Sequence, residues 1–152
     1  MNQKRPVLGD KKVPGVFILT AGLAAVIADR FFKSLVLAVP DVTPTGALSF
    51  TSFRNPGIAF SLPLVGLAYW VLAVPVAASL AAGLIIAYRR DRYEIAAALA
   101  VSLLGAASNL YDRAVYGAVI DYVIFFGRSA VNLADVLIVF GLLWAAFRLE
   151  KA

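Results

Sequence analysis

Cysteine and histidine are both absent from this chain of 152 residues, and it holds a single methionine. Without cysteine there is no disulfide framework. Ser-His and Cys-His nucleophilic systems, and zinc sites ligated by His or Cys, are excluded with them. Hydrolytic chemistry in such a chain rests on carboxylates or on a Ser-Lys pair. Charge is scarce as well: 15% of residues are Asp, Glu, Lys or Arg and 62% are hydrophobic, where a soluble domain has about a quarter charged. That balance describes an integral membrane protein. The net charge of +5 is gathered in short clusters at the ends of apolar runs, as a topology signal is, and no basic groove with interleaved aromatics is visible, so nucleic acid is not an expected partner.

Residues 1–15 carry Lys4, Arg5, Lys11 and Lys12 with Pro6 and Pro14, a basic tail expected to stay in the cytoplasm with little in it that packs. Four transmembrane spans are expected, at about 16–39, 64–88, 94–111 and 132–147, each long enough to cross or nearly cross a bilayer at about 1.5 Å per residue. A secretory signal cleaved before Asp29 is the rival reading of the first span, but the apolar run resumes at Phe31 and continues to Val39. The second span holds Pro75, a kink signal, and Ala78, Ser79, Ala82 and Gly83 for close helix contact. Arg89, Arg90 and Arg92 then make a basic turn, and Arg148 and Lys151 follow the last span. Both termini are thereby expected in the cytoplasm. Residues 40–63, with Pro, Gly, Thr and Ser between short alternating runs, predict a small extracytoplasmic β-structure; residues 114–131 form a second outer segment, extended from Tyr116 to Phe126. There is no internal repeat, and residues 1–152 are expected to form one membrane-embedded domain.

Three of the nine acids, Asp112, Asp121 and Asp135, fall between Ser108 and Asp135, beside long apolar spans where a charge is costly and is paired, interfacial or functional. Asp121 lies in the extended outer segment and Asp135 in the first turn of the last helix, so both carboxylates are delivered to one interface. Two carboxyls sharing a partly dry site hold one proton between them, and such a pair activates water: one takes its proton while the other donates to a carbonyl oxygen or leaving amine. By position, Asn109, Arg113 and Asn132 are candidates to align a peptide backbone and stabilise developing charge. Plainer readings stand beside these. Asn132 with Asp135 three residues on is a helix N-cap signature, Arg113 has the reach to meet lipid headgroups, Asp29 and Lys33 stand four apart as a structural ion pair, and Asn55-Pro56-Gly57 is a turn.

Four motifs occur in one order: Asp29 with Lys33; Asn55-Pro56-Gly57-Ile58-Ala59-Phe60-Ser61; Asn109-Leu110-Tyr111-Asp112-Arg113 leading to Val119-Ile120-Asp121; and Val131-Asn132-Leu133-Ala134-Asp135. Together they resemble the lipoprotein signal peptidases, or signal peptidase II, of bacterial inner membranes, over almost the whole chain. The resemblance implies a membrane aspartyl endopeptidase that removes the signal peptide from diacylglyceryl-modified prolipoproteins, cutting just before the lipidated cysteine. It implies Asp121 and Asp135 as the catalytic dyad, Asn55, Asn109, Arg113 and Asn132 as substrate-binding residues, and Asp29, Lys33, Gly57 and Asp112 in support. Residues 40–63 would be the family's β-cradle and the stretch around Tyr116 to Phe126 a lid-like periplasmic element. Its partners would be the lipidated substrate and membrane lipid, with no metal, no organic cofactor and no obligate protein partner. Ser108, where a glycine usually precedes Asn109, Pro56 in the second motif, and a short stretch between Asp121 and Asp135 depart from the pattern. The alternatives are a Ser-Lys peptidase using Lys33 with Ser34 or Ser61, a small ion or solute transporter whose buried charges relay protons, and a non-catalytic lipoprotein-binding paralogue.

Overall fold

Apolar runs of this length leave the backbone two ways to satisfy its polar groups in lipid, and here it takes the helical one. The computed structural model describes residues 8–39, 43–44, 46–57, 66–127 and 129–151. The chain forms α1 (Leu8–Leu37), β1 (Leu48–Asn55), α2 (Leu67–Arg89), α3 (Tyr93–Tyr116), β2 (Val119–Phe125), β3 (Ser129–Val131) and α4 (Leu133–Glu150). Among the described residues, Val13–Leu37, Leu67–Arg89 and Tyr93–Tyr116 are long and apolar enough to cross a membrane. The fourth helix has 18 residues and carries Asp135 in its first turn and Arg148 in its last, so its apolar middle is shorter. Val71 and Val76 of α2 and Val136, Val139 and Leu143 of α4 are all more than half exposed, which suits helices whose solvent is lipid.

Several boundaries differ from those the sequence suggests. The first helix begins at Leu8 instead of residue 16, because Lys11 and Lys12 are good helix formers and nothing before Pro14 stops the chain from coiling. Nor is the end of that tail unpacked: a Cβ on buried Gly15 would stand 2.9 Å from the carbonyl oxygen of Tyr93. The helix runs unbroken through Ala28 and Asp29 to Leu37. The third helix extends five residues past Tyr111, closed by Gly117 at φ 71°, whose N–H donates to the Arg113 carbonyl; Asn109, Asp112 and Arg113 are therefore in its last two turns. Residues 1–7, 40–42, 45, 58–65, 128 and 152 lie outside the described residues, and with them the Ile58-Ala59-Phe60-Ser61 half of the second motif.

Helices α3 and α4 pack most closely. A Cβ at Gly105 would stand 2.6 Å from the Ala134 carbonyl oxygen, and Ser102 Oγ donates to the Ile138 carbonyl at 3.0 Å, the small-residue contact expected between membrane helices. Ala87, Ile95, Ala96, Ala98 and Ala145 form an apolar cluster near the basic turn, where Glu94 and Arg148 pair.

At the other end the strands make one antiparallel sheet, in the order β1-β2-β3. The stretch read as lid-like is the central strand of that sheet, so it and the cradle are a single element. The register runs Phe50↔Val123 and then Phe53↔Asp121, so Thr51 and Ser52 bulge opposite Tyr122. One inserted residue moves the rest of a strand to the other face. Past the bulge Asn55 pairs with Val119 and so shares the face of Asp121; without it, Asn55 would point away.

Candidate functional site

The site begins with the helix cap of α4. Asn132 has an extended backbone (φ −132°, ψ 172°), its Oδ1 accepts from the Asp135 N–H at 2.9 Å, and the Asp135 carboxylate accepts from the Asn132 N–H at 3.2 Å, a complete capping box. The capping reading of this pair is therefore correct, and the same two side chains do more. Having committed its oxygen to the cap, Asn132 turns its Nδ2 outward, where it donates to Asp121 Oδ1 at 2.6 Å and to Asn109 Oδ1 at 3.2 Å. Asn109 in turn donates from Nδ2 to Asp135 Oδ1 at 2.7 Å. Asn55, whose Oδ1 accepts from the Gly57 N–H at 3.1 Å, donates from Nδ2 to Asp121 Oδ2 at 3.0 Å.

Each of these asparagine oxygens is occupied, by the Gly57 amide, by the Asp135 amide, or by Asn132 and Lys33. Each NH₂ is therefore left to face a carboxylate, that of Asn132 also reaching the Asn109 oxygen and the Ile120 carbonyl. Asp121, on β2, and Asp135, on α4, are joined through Asn132 and Asn109 across sheet and helices. Asp121 is 1% exposed and Asp135 half-buried. Burial pushes the Asp121 carboxyl up to about 7; the Asn55 amide opposes this, the Asp135 charge adds to it, and the Asn132 amide and Lys33 oppose it. A carboxyl in that range exchanges its proton near neutrality.

Behind the asparagines lies a charge network. Lys33 is fully buried; its ammonium meets Asp29 at 3.1 Å, Asp112 at 2.7 Å and the Asn109 Oδ1 at 2.9 Å. The Asp29 and Lys33 pair is thus real and has a third member. Arg30 adds a second cation, 2.5 Å from Asp112, with its guanidinium over the Tyr111 ring. Ser108, the departure noted in the third motif, donates to Asp29 at 2.7 Å. The two acids and two bases balance, which is how fully buried charges persist. Asp112 also accepts from the Ile120 N–H at 3.2 Å, fixing the strand residue next to Asp121, and Asp29 Oδ1 accepts from the Ala134 N–H at 3.1 Å, fixing the helix residue next to Asp135.

Arg113 and Gly57 stand together at the edge. The guanidinium donates to the Gly57 carbonyl at 2.5 Å and the Pro56 carbonyl at 3.3 Å and stacks on Tyr69 of α2, 4.1 Å from the ring centroid. It holds the turn that aims Asn55. A pocket lined by Pro56, Gly66, Tyr69, Trp70, Arg113 and Gly117 opens beside it. Among the described residues no three His, Cys, Asp or Glu side chains gather closely enough to hold a metal ion. Sequence reasoning passed over Arg30, Tyr69 and Tyr122. The first is signalled by its place beside Asp29, whereas an aromatic in an apolar run carries no mark that separates it from core.

A mostly helical membrane protein with a small sheet at one end, and two carboxylates tied by amides beneath that sheet, is the class these features define. The chain belongs to the signal peptidase II family: the family model described as "Signal peptidase (SPase) II" matches residues 21–149. It is 34% identical to a lipoprotein signal peptidase of Syntrophus aciditrophicus, over 88% of this chain and 91% of the relative, and 35% identical to one of Ectopseudomonas mendocina, over 88% of each. Two solved structures described as bacterial membrane enzymes share the fold, with TM-scores of 0.67 and 0.65 at 21% identity, over 99% of this chain and 93% and 99% of theirs.

Proposed function

We propose that this protein is a membrane aspartyl endopeptidase that removes the signal peptide from diacylglyceryl-modified prolipoproteins, cutting before the lipidated cysteine. Lipoprotein signal peptidase is the name its relatives carry, and the observation that bears the mechanism is the bridge of Asn109 and Asn132 between Asp121 and Asp135. In the proposed reaction Asp135 takes a proton from water as its oxygen attacks the scissile carbonyl carbon, and Asp121, the deeper carboxyl, gives its proton to the carbonyl oxygen. The resulting gem-diol collapses as Asp135 returns a proton to the leaving cysteine nitrogen and Asp121 recovers one from a gem-diol hydroxyl, so both carboxyls end as they began. Arg113 and Asn55, the more exposed of the four, bind the substrate backbone, Asn109 and Asn132 line the site beneath it while holding the two carboxyls, and Asp29, Lys33, Gly57 and Asp112 hold the frame.

The proposed setting is a single domain with four spans, α4 being the fourth, in the bacterial inner membrane. Both termini lie in the cytoplasm and the sheet and dyad at the periplasmic face. Arg89, Arg90, Arg92 and Arg148 all sit at the helix ends away from the sheet, which supports that orientation. A dyad at headgroup depth suits a substrate whose acyl chains stay in the bilayer. The test is cleavage of a purified diacylglyceryl-modified prolipoprotein by the protein in detergent, run beside Asp121→Asn and Asp135→Asn. Release of the signal peptide by wild type and none by two folded variants is the expected result; cleavage that survives either substitution overturns the dyad.

A further inference from the structure

Tyr122 follows Asp121 on β2, and successive strand residues face opposite ways. It is 3% exposed, its ring packed against Phe32 and Phe50 with centroids 5.7 and 5.5 Å away, in the cluster of Val36 and Ile120. A phenylalanine would fill that space equally well. The hydroxyl nevertheless has two partners there: it accepts from the Leu133 N–H at 2.9 Å and donates to Asp29 Oδ1 at 3.1 Å. Leu133 is the first residue of α4, and the same Asp29 oxygen accepts from Ala134, the second. The first two N–H groups of α4 are thus held by a strand and a helix distant in sequence, and the third, that of Asp135, by the Asn132 cap.

We propose that Tyr122 is a positioning residue for the dyad, its hydroxyl clamping the first turn of α4, which carries Asp135, to the strand that carries Asp121. This rests on the dyad reading above. With Asp121 bonded to Asn132 and Tyr122 bonded to Leu133, neighbours on the strand grip neighbours at the helix start, and the separation of the carboxylates is fixed from both faces of β2. Burial first, and then the nearby Asp29 charge, push the Tyr122 phenol well above its ordinary range, so the clamp keeps its proton at every pH where the dyad works.

The test is Tyr122→Phe in the full chain, assayed on the diacylglyceryl-modified prolipoprotein beside wild type, Asp121→Asn and Asp135→Asn. Expected is a fall in kcat of about tenfold to a hundredfold, as for a small displacement of reacting groups, with KM within about twofold and a shifted neutral limb of the pH profile. A Tyr122→Phe variant with wild-type kcat and pH profile, while both aspartate variants are silent, overturns the clamp and leaves the dyad standing. Activity in Asp121→Asn overturns both. Should Tyr122→Phe fail to fold, amide hydrogen exchange in the wild type decides: a Leu133 amide as protected as mid-helix amides supports the clamp, and one that exchanges like a frayed terminus refutes it.

Discussion

Asn132 performs two tasks through two atoms, and one substitution separates them. Its oxygen caps α4 by accepting from Asp135 N–H at 2.9 Å, and its nitrogen donates to Asp121 at 2.6 Å. Serine caps a helix about as well as asparagine does, whereas alanine loses about 1 kcal/mol there. Serine has no NH₂ to send to Asp121. Both variants share the cost of losing the bonds to Asp121 and Asn109, so Asn132→Ser is expected to unfold at a higher midpoint than Asn132→Ala, the difference being the cap. Both lose the amide donor, and a hydrogen bond to a charged partner is worth about 1.5–3 kcal/mol, which converts to a fall in kcat of about 10- to 150-fold if the bond matters in the transition state.

The same change has a second readout. The Asn132 amide lowers the affinity of Asp121 for its proton, so its removal moves the neutral limb of the pH profile upward. Thermal unfolding in detergent and cleavage kinetics across pH 5–9 measure both. An Asn132→Ser variant with wild-type kcat and an unmoved limb would refute the donor role, and one as destabilised as Asn132→Ala would refute the capping role.

Two further outcomes follow from the buried charges. Asp121 is raised from 3.8 to about 7, so the folded protein holds a proton that the unfolded chain releases above about pH 4: stability from this group is fully present at acid pH and is lost as pH rises through about 7. Thermal midpoints measured from pH 4 to 8 should decline accordingly in wild type and flatten in Asp121→Asn, and kcat should fall above about pH 7 as the acid is lost. Lys33→Met removes the cation shared by Asp29 and Asp112. It should cost about 3–5 kcal/mol, the penalty for orphaning a buried charge, measured by denaturant titration in mixed micelles; a loss under about 1 kcal/mol would show that the network is hydrated.

Apolar runs and their basic ends were legible because a bilayer imposes length and charge asymmetry on every span that crosses it. Asp121 and Asp135 stood out because a carboxylate beside such runs is costly, and Asn132 with Asp135 because a capping box has fixed spacing. What the sequence hides depends on contacts between distant elements. Arg30 and Asp112 are 82 residues apart, and nothing local says they meet. The bulge at Thr51 and Ser52 is invisible in an alternating run, yet it decides which face Asn55 occupies. The extent of α3 was underestimated because polar residues at the end of an apolar run suggest an exit from the helix. Here Asn109, Asp112 and Arg113, spaced three and four apart, share a face that is bonded within the protein, to Lys33, Asp135, the Ile120 amide and the Pro56 and Gly57 carbonyls.

The choice of asparagine at three points of the site has a physical logic that ties fold to chemistry. A carboxylate pair beneath a sheet needs donors, and lysines or arginines there would hold both acids fully ionised, leaving no proton to give. Amides donate with less charge, but an amide is ambivalent, since either end can face the acid. The surroundings remove that ambivalence: Gly57 N–H takes the oxygen of Asn55, Asp135 N–H that of Asn132, and the Lys33 ammonium together with Asn132 that of Asn109. The charge network of α1 therefore acts on the dyad twice, through the Lys33 charge, which opposes the upward shift of Asp121, and through the amide that Lys33 orients. Lys33 stays bonded to Asp29 and Asp112, and besides its charge it passes to Asp135 a direction for the Asn109 amide. Asp121 keeps a carboxyl that titrates near neutrality because burial outweighs its donors, and that is the condition under which one member of the pair gives a proton while the other takes one.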